Sequence, residues 1–500
     1  MASVSRASPP AGFEEEKGPT WEATHDYASD TSSKNWLVNK LLTWGVEERG
    51  INPVPIDERV GHPYSKIFFI WFSMNVNILS FSAGTLGPAV FGLGLRDTCL
   101  SILFFNMLCC AFPAYIGTWG PKLGMRQMVI SRYSFGYYGV IVPCVMNLIT
   151  MVGFSILNSI VGGQALASVS SDNLSWSVGI VVIAVISLLV SFCGITVLNW
   201  YERIAWIPVV VTFVVALGVG GKHLSDPPPF VPATAPAILS FASTLAGFSI
   251  TYSGLACDFS SYYRPNASSW KMFLSAYIGL LIPLITIQCL GAAVAVAVSD
   301  VPDWETGYAG GNVGGLLEAM LHPVGGFGKF LTVLLSLSVA ANIAATFYSI
   351  SINMQILIPS LVVVPRYVFS IVATAIVVPL SIVGAHRFYD TLVNFLGLIG
   401  YWSAAYVAII LIEHLVCRKN DPSLYNPRAW NVPALLPTGI AAIAAGVGCF
   451  GLVIPSMEQV WFTGPIAKTT GDIGFEIAFV TSAALYLPLR WLEIRWRGFV

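Results

Sequence analysis

The chain has 500 residues, of which 55% are hydrophobic and only 10% charged, with a net charge of −1 and a mean hydropathy of +0.73. Ordinary soluble domains carry about 25% charged residues, so the composition excludes a soluble protein, and the near-zero charge excludes nucleic acid as a partner. Length alone would allow about three or four soluble domains. Apolar stretches recur almost without pause from Lys66 to Trp491, however, and read as one integrated membrane domain.

Residues 1–64 form a polar segment with the acidic run Glu14, Glu15, Glu16 and no short apolar core before a small-residue cleavage site. The segment is expected to be cytosolic, without a cleaved signal peptide. Before about residue 30 it is expected to be disordered, because it cannot bury enough apolar surface to offset its ordering entropy. A hydrocarbon core about 30 Å thick needs about 20 helical residues. Such runs predict twelve spans, at 67–95, 98–118, 137–168, 176–198, 203–220, 237–257, 270–298, 326–357, 366–384, 389–415, 433–455 and 472–491. The fold class is therefore all-α and polytopic. Ten helices in 65–415 would form a transport core, two in 416–492 would be accessory, and 493–500 would be a short cytosolic tail.

With the amino terminus inside, inner loops and the carboxyl tail carry thirteen Lys and Arg residues and outer loops only five, and the seven of the amino-terminal segment complete the 25. This bias places both termini in the cytosol. The sequon Asn173-Leu174-Ser175 then falls outside and Asn266-Ala267-Ser268 inside. Cys109, Cys110, Cys144, Cys193, Cys289 and Cys449 lie in apolar runs without metal-type or secreted-type spacing, and read as packing residues.

Two spans turn small and polar at mid-membrane: the first over Ser80–Pro88, and the sixth over Gly247–Gly254. Glycine and proline interrupt helices, and backbone freed at that depth must be buried in protein or line a cavity. Breaks five spans apart predict two inverted five-helix repeats around a central site. The other reading is that glycine and serine allow close helix packing. The third span sets Phe154 and Asn158 one turn apart on one face, suited to stacking a flat ring and pairing with its polar edge. An Asn that bonds a neighbouring backbone is the plainer alternative. In the eighth span, Ser336, Ser338 and Asn342 are candidates for lining the site, while Thr346 and Ser349 equally suit satisfying backbone carbonyls. Asp258 suits either a cytoplasmic gate or proton path, or capping and loop anchoring with Arg264. Glu476 is a second ionisable exception at depth, and Glu413 and His414 are expected to snorkel.

Several of these segments resemble the nucleobase-cation-symport-1 family. Gly120-Pro121-Lys122-Leu123-Gly124-Met125-Arg126-Gln127-Met128 with Ser131-Arg132-Tyr133-Ser134-Phe135-Gly136 is similar to the family's loop after the second span. Asn77–Gly84, Asn158–Gln164 and Asp258–Pro265 resemble the fungal purine-cytosine permease branch. The resemblance covers about Arg49 to the carboxyl end. It implies a five-plus-five inverted-repeat (LeuT-like) fold and import of cytosine, adenine, guanine or hypoxanthine with a proton across the plasma membrane. It also implies substrate contacts from Ser80, Phe154, Asn158, the sixth span and an asparagine of the eighth.

The branch commonly shows paired asparagines and a proline in the eighth span, whereas here the stretch reads Ala340-Ala341-Asn342-Ile343-Ala344-Ala345-Thr346. One amide fewer in a buried site alters discrimination by about ten- to a thousandfold, on the order of 1–4 kcal/mol, so a related ring such as vitamin B6 is an alternative substrate. The expected substrate contacts are Ser80, Ser82, Phe154, Asn158, Phe248, Ser249, Thr251 and Asn342, with Asp258 and Ser336 in gating or ion coupling. No cofactor is expected beyond the coupling proton; the partners are a small heterocycle and membrane lipid. A non-transporting nutrient sensor would need a longer signalling tail than the stretch after Trp491. A membrane enzyme would need paired carboxylates, a metal cluster or an activated nucleophile at depth, and none is recognisable.

Overall fold

The computed structural model describes residues 50–170, 173–192, 194–225 and 232–498; the acidic run and Cys193 lie outside them. A helix stands at each of the twelve expected positions. By length and apolarity, eight helices among the described residues can cross a bilayer, or nine when one bent pair counts as a span. The apolar stretch Tyr367–Cys417, one of the eight, spans two helices, Arg366–Gly384 from its second residue and Phe388–Ile412, at the ninth and tenth positions. The fourth (Trp176–Phe192) and eleventh (Ile440–Ser456) are shorter apolar helices. The fifth begins earlier than expected, at Gly194, and the last runs on to Arg497.

Packing between the ten core helices follows a two-fold rule. The first packs on the seventh and the sixth on the second; the fifth on the first and the tenth on the sixth; the fourth on the eighth and the ninth on the third. Adding five to a helix number, or subtracting it, turns each contact into its counterpart. The third on the eighth and the second on the seventh map onto themselves. This is the contact pattern of two inverted five-helix repeats, with the third and eighth helices as the central wall.

The first helix break sits ahead of its expected place, and the sixth falls within its expected stretch. The first span bends by 57° between Ser65–Asn75 and Ile78–Ala89, ahead of Ser80–Pro88, which is helical. Asn77 is extended (φ −152°, ψ 171°) and its Oδ1 accepts from Ser80 N, capping a new helix start. Ile78 N donates to Ser338 Oγ of the eighth span at 3.3 Å. The sixth span is α-helical to Ile250 and tightens to a 3-10 turn over Thr251–Gly254. The glycines do the packing: a Cβ on Gly84 would stand 1.9 Å from Gln288 O of the seventh span, and one on Gly247 would stand 1.9 Å from Leu396 O of the tenth. Small residues thus bring helices together while an asparagine and a tightened turn break them.

At the end expected to face outward, two short helices that the sequence reading missed, Pro302–Tyr308 and Val313–Leu321, lie between the seventh and eighth spans, the second packed on the third span. Tyr308 OH bonds Tyr389 OH, which in turn meets Thr85 Oγ1 at 2.9 Å, joining this hairpin to the tenth and first spans. At the opposite end, Asp258 Oδ1 accepts from Gln127 N, the first residue of the helix Gln127–Gly139, while Arg126 Nη1 donates to Asp258 O at 2.6 Å. A carboxylate there complements the unpaired N–H groups and dipole of the helix start. Asp258 therefore has the capping geometry.

Glu413 does not snorkel. It is 0% exposed and accepts from Arg418 Nε, Arg490 Nε and Nη2, and Tyr486 OH at 2.8–3.1 Å. His414 is likewise buried, with Nδ1 3.0 Å from Tyr425 OH. The Glu413 cluster ties the tenth span to the last one, and Arg490 continues it to Glu493 at 3.1 Å. The described cysteines are all unpaired thiols.

Candidate functional site

Midway along the core, a cavity opens where the broken first and sixth spans face the third and eighth. Its walls are Met74 before the first break, Asn147 and Phe154 of the third span, Thr251 and Tyr252 at the turn of the sixth, and Asn342 and Ser349 of the eighth. The free space between these walls is small. That is space for one or two waters, whereas ligand sites run to about 300–1,000 Å³. The walls must separate for a heterocycle to enter.

Aromatic rings supply the flat surfaces. Phe154 and Tyr252 lie nearly parallel, 10° apart in tilt with centroids 6.4 Å apart. Two faces that hold one ring between them stand about 7 Å apart, so the wall must rearrange for Phe154 and Tyr252 to sandwich a heterocycle. Phe248 and Phe395 pack edge-on to Phe154 at 5.7 and 5.5 Å and hold it upright. Tyr252 is fixed by its hydroxyl, which donates to Asn75 Oδ1 at 2.8 Å, and by the edge of Trp71 at 5.3 Å.

Amides supply the polar edge. Asn158 Nδ2 donates to Phe154 O and, at 3.1 Å, to Asn342 Oδ1; Asn342 Nδ2 donates to Met74 O at 3.0 Å. The amide chain runs from the third span through the eighth to the buried Met74 carbonyl at the first break. Asn158 Oδ1 and Ser80 Oγ are buried without a hydrogen-bond partner, although neither residue is part of the cavity wall, so Asn158 stands behind Asn342 as seen from the cavity.

Two expected substrate contacts, Ser82 and Ser249, and Ser336, expected in gating or ion coupling, bond other protein groups. Ser82 Oγ donates to Ile78 O within its own helix at 2.9 Å. Ser249 Oγ donates to Asn106 Oδ1 at 2.6 Å, and Asn106 bonds Gln288, so this serine faces the second and seventh spans. Ser336 Oγ donates to Gly162 O at 2.7 Å and joins the eighth span to the third; its neighbour two residues on, Ser338, is the hydroxyl at the first break. In each case a hydroxyl at membrane depth has taken the nearest backbone or amide acceptor. Thr251 lines the cavity with its hydroxyl turned to Gly247 O and Phe248 O. Tyr252, Asn75 and Asn147 were missed. The signal was present for two: Tyr252 lies in the polar stretch of the sixth span, and Asn75 and Asn77 flank the first break.

Comparison with known proteins places the chain among transporters. Residues 53–477 match the family described as permease for cytosine/purines, uracil, thiamine, allantoin. The chain is 37% identical over 483 residues to the purine-cytosine permease fcyB of Emericella nidulans, covering 95% of this chain and 94% of that one. It is 29% identical to the vitamin B6 transporter TPN1 of Saccharomyces cerevisiae, over 92% and 90% of the two chains. Among solved structures it superposes on Mhp1, a nucleobase-cation-symport-1 family transporter in a closed conformation with bromovinylhydantoin bound, with a TM-score of 0.71, 16% identity and coverage of 90% and 96%.

Proposed function

This chain belongs to the nucleobase-cation-symport-1 family, in its fungal purine-cytosine permease branch, and we propose that it imports cytosine and purines such as adenine, guanine and hypoxanthine across the plasma membrane by proton symport. The observation that carries this reading is the pair of parallel rings, Phe154 and Tyr252, beside the Asn158–Asn342 amides. Two faces and one hydrogen-bonding edge are what a nucleobase presents. Ring entry parts Phe154 on the third span from Tyr252 on the sixth. The same displacement moves the bundle of the first, second, sixth and seventh spans against the scaffold, which is alternating access around a central site.

The single Asn in the Ala340–Thr346 stretch of the eighth span and the vitamin B6 transporter relative favour pyridoxine as the second reading. Radiolabelled uptake in permease-null cells, competed with cytosine, adenine, uracil, allantoin and pyridoxine, separates the two. Cytosine and adenine are expected to enter and to compete with each other, with uptake rising as the medium is acidified and unchanged when sodium is replaced. Uptake of pyridoxine alone would select the second reading, and a sodium requirement would reject proton coupling. Orientation has its own check. With both termini cytosolic, exposed Asn173 should be glycosylated and exposed Asn266 should not, and glycan at Asn266 would invert the topology.

A further inference from the structure

On the side toward Asp258 the cavity wall carries polar groups, Asn147 and Ser349, that the Phe154, Tyr252 and Asn342 contacts leave unused. Asn147 of the third span donates Nδ2 to Asn353 Oδ1 of the eighth at 3.2 Å and to Gly254 O, at the close of the 3-10 turn of the sixth, also at 3.2 Å. A Cβ on Gly254 would lie 2.4 Å from Asn147 Oδ1, so the backbone there approaches as closely as glycine permits. Asn147 and Ser349 are both cavity-wall residues at 0% exposure, and Asn147 Oδ1 and Ser349 Oγ both lack a hydrogen-bond partner. Buried polar atoms are nearly always satisfied, so two orphans on one cavity wall mark capacity for a ligand.

The spacing repeats that of the ring site. Asn147 precedes Asn158 by eleven residues and Asn353 follows Asn342 by eleven. Eleven residues are about three helical turns, about 16 Å along the axis, and return to the same face. The third and eighth spans therefore meet through two asparagine pairs, Asn158–Asn342 and Asn147–Asn353, with the cavity between them.

We propose that Asn147 and Ser349 form a second, inner binding station, holding the hydrogen-bonding edge of a heterocycle after it leaves Asn158 and Asn342 and before release to the cytosol. This rests on the ring-transport reading above. Asn147 Oδ1 accepts an N–H from the ring, and the Ser349 hydroxyl donates to an adjacent ring nitrogen or carbonyl, so the ligand is a flat heterocycle with neighbouring donor and acceptor. Because the same Asn147 amide ties Gly254 of the sixth span to the scaffold, a ring that turns this amide loosens the contact that must part for release.

Sided binding in membrane vesicles tests the station. With the full-length chain carrying Ser349→Ala, the concentration of cytosine needed to half-inhibit labelled cytosine flux is expected to rise about tenfold from the cytosolic face and stay within twofold from the outer face. Ser349→Thr, which keeps the hydroxyl, should restore the cytosolic value. Since Ser349 Oγ bonds no protein atom, the Ala variant should melt like the parent protein. Equal shifts on both faces, or none on the cytosolic face, would overturn the station while leaving the ring site standing. Failure of the parent protein to take cytosine from either face would bring down both readings.

Discussion

Asn158→Ala is expected to lower uptake of the labelled ring by at least tenfold, and by up to about a thousandfold, at unchanged surface expression. The residue makes two bonds: Nδ2 to Phe154 O, one turn back, and Nδ2 to Asn342 Oδ1 across the helix interface. Its removal frees Asn342 to rotate, and Asn342 is the amide that reaches both the cavity and Met74 O at the first break. It also deletes the buried, unpartnered Oδ1 beside the ring site. Each misplaced or unpaired polar group in a desolvated site is worth about 1–3 kcal/mol, and loss of a built hydrogen bond discriminates more steeply than loss of apolar contact. Kinetics distinguish a contact from a brace. If Asn158 only orients Asn342, the apparent affinity for rings falls together for all substrates, whereas a direct contact penalises rings by the polarity of their edge. An unchanged apparent affinity would remove Asn158 from the site altogether.

The helix positions were legible because a bilayer demands about 20 apolar residues per crossing, a constraint that overrides local detail. Pairing Phe154 with Asn158 was legible for a similar reason, since residues four apart share a helix face. Reading hydroxyls was harder. Ser82, Ser249 and Ser336 occupy the same kind of apolar context as Ser338 and Ser349, and sequence does not reveal which has a carbonyl or amide within reach: Ser336 meets Gly162 O and Ser249 meets Asn106, whereas Ser349 Oγ meets no protein atom. The first break was misplaced because glycine is the stronger textual signal, yet Gly84 faces a neighbouring backbone, as does Gly247 ahead of the turn in the sixth span. Asn77, a helix cap inside an apolar run, marked the true break. Glu413 was misread for want of its partners, since Arg490 lies 77 residues away and a charge near a span end normally reaches for water.

That last residue bears the largest expected effect on stability. Glu413 is 0% exposed and receives Arg418 Nε at 3.0 Å, Arg490 Nε at 2.9 Å and Nη2 at 3.1 Å, and Tyr486 OH at 2.8 Å. Two guanidiniums, 2% and 1% exposed as side chains, converge on one carboxylate. Glu413→Gln keeps the shape and removes the charge, leaving Glu493 as the sole carboxylate bridged to Arg490 among the described residues. Breaking a buried pair by removing one partner costs about 3–5 kcal/mol, because the remaining charge stays desolvated. The detergent-solubilised variant should show a large drop in apparent melting temperature and reduced surface expression. Arg490→Gln alone should do the same. The double variant should lose less than the sum of the two, by about 0.5–3 kcal/mol of coupling, since neither group is then left facing an uncompensated partner. Strict additivity in that cycle would show that the two side chains do not stabilise one another, and the tie between the tenth and last spans would then rest on the apolar contacts of their long packed faces.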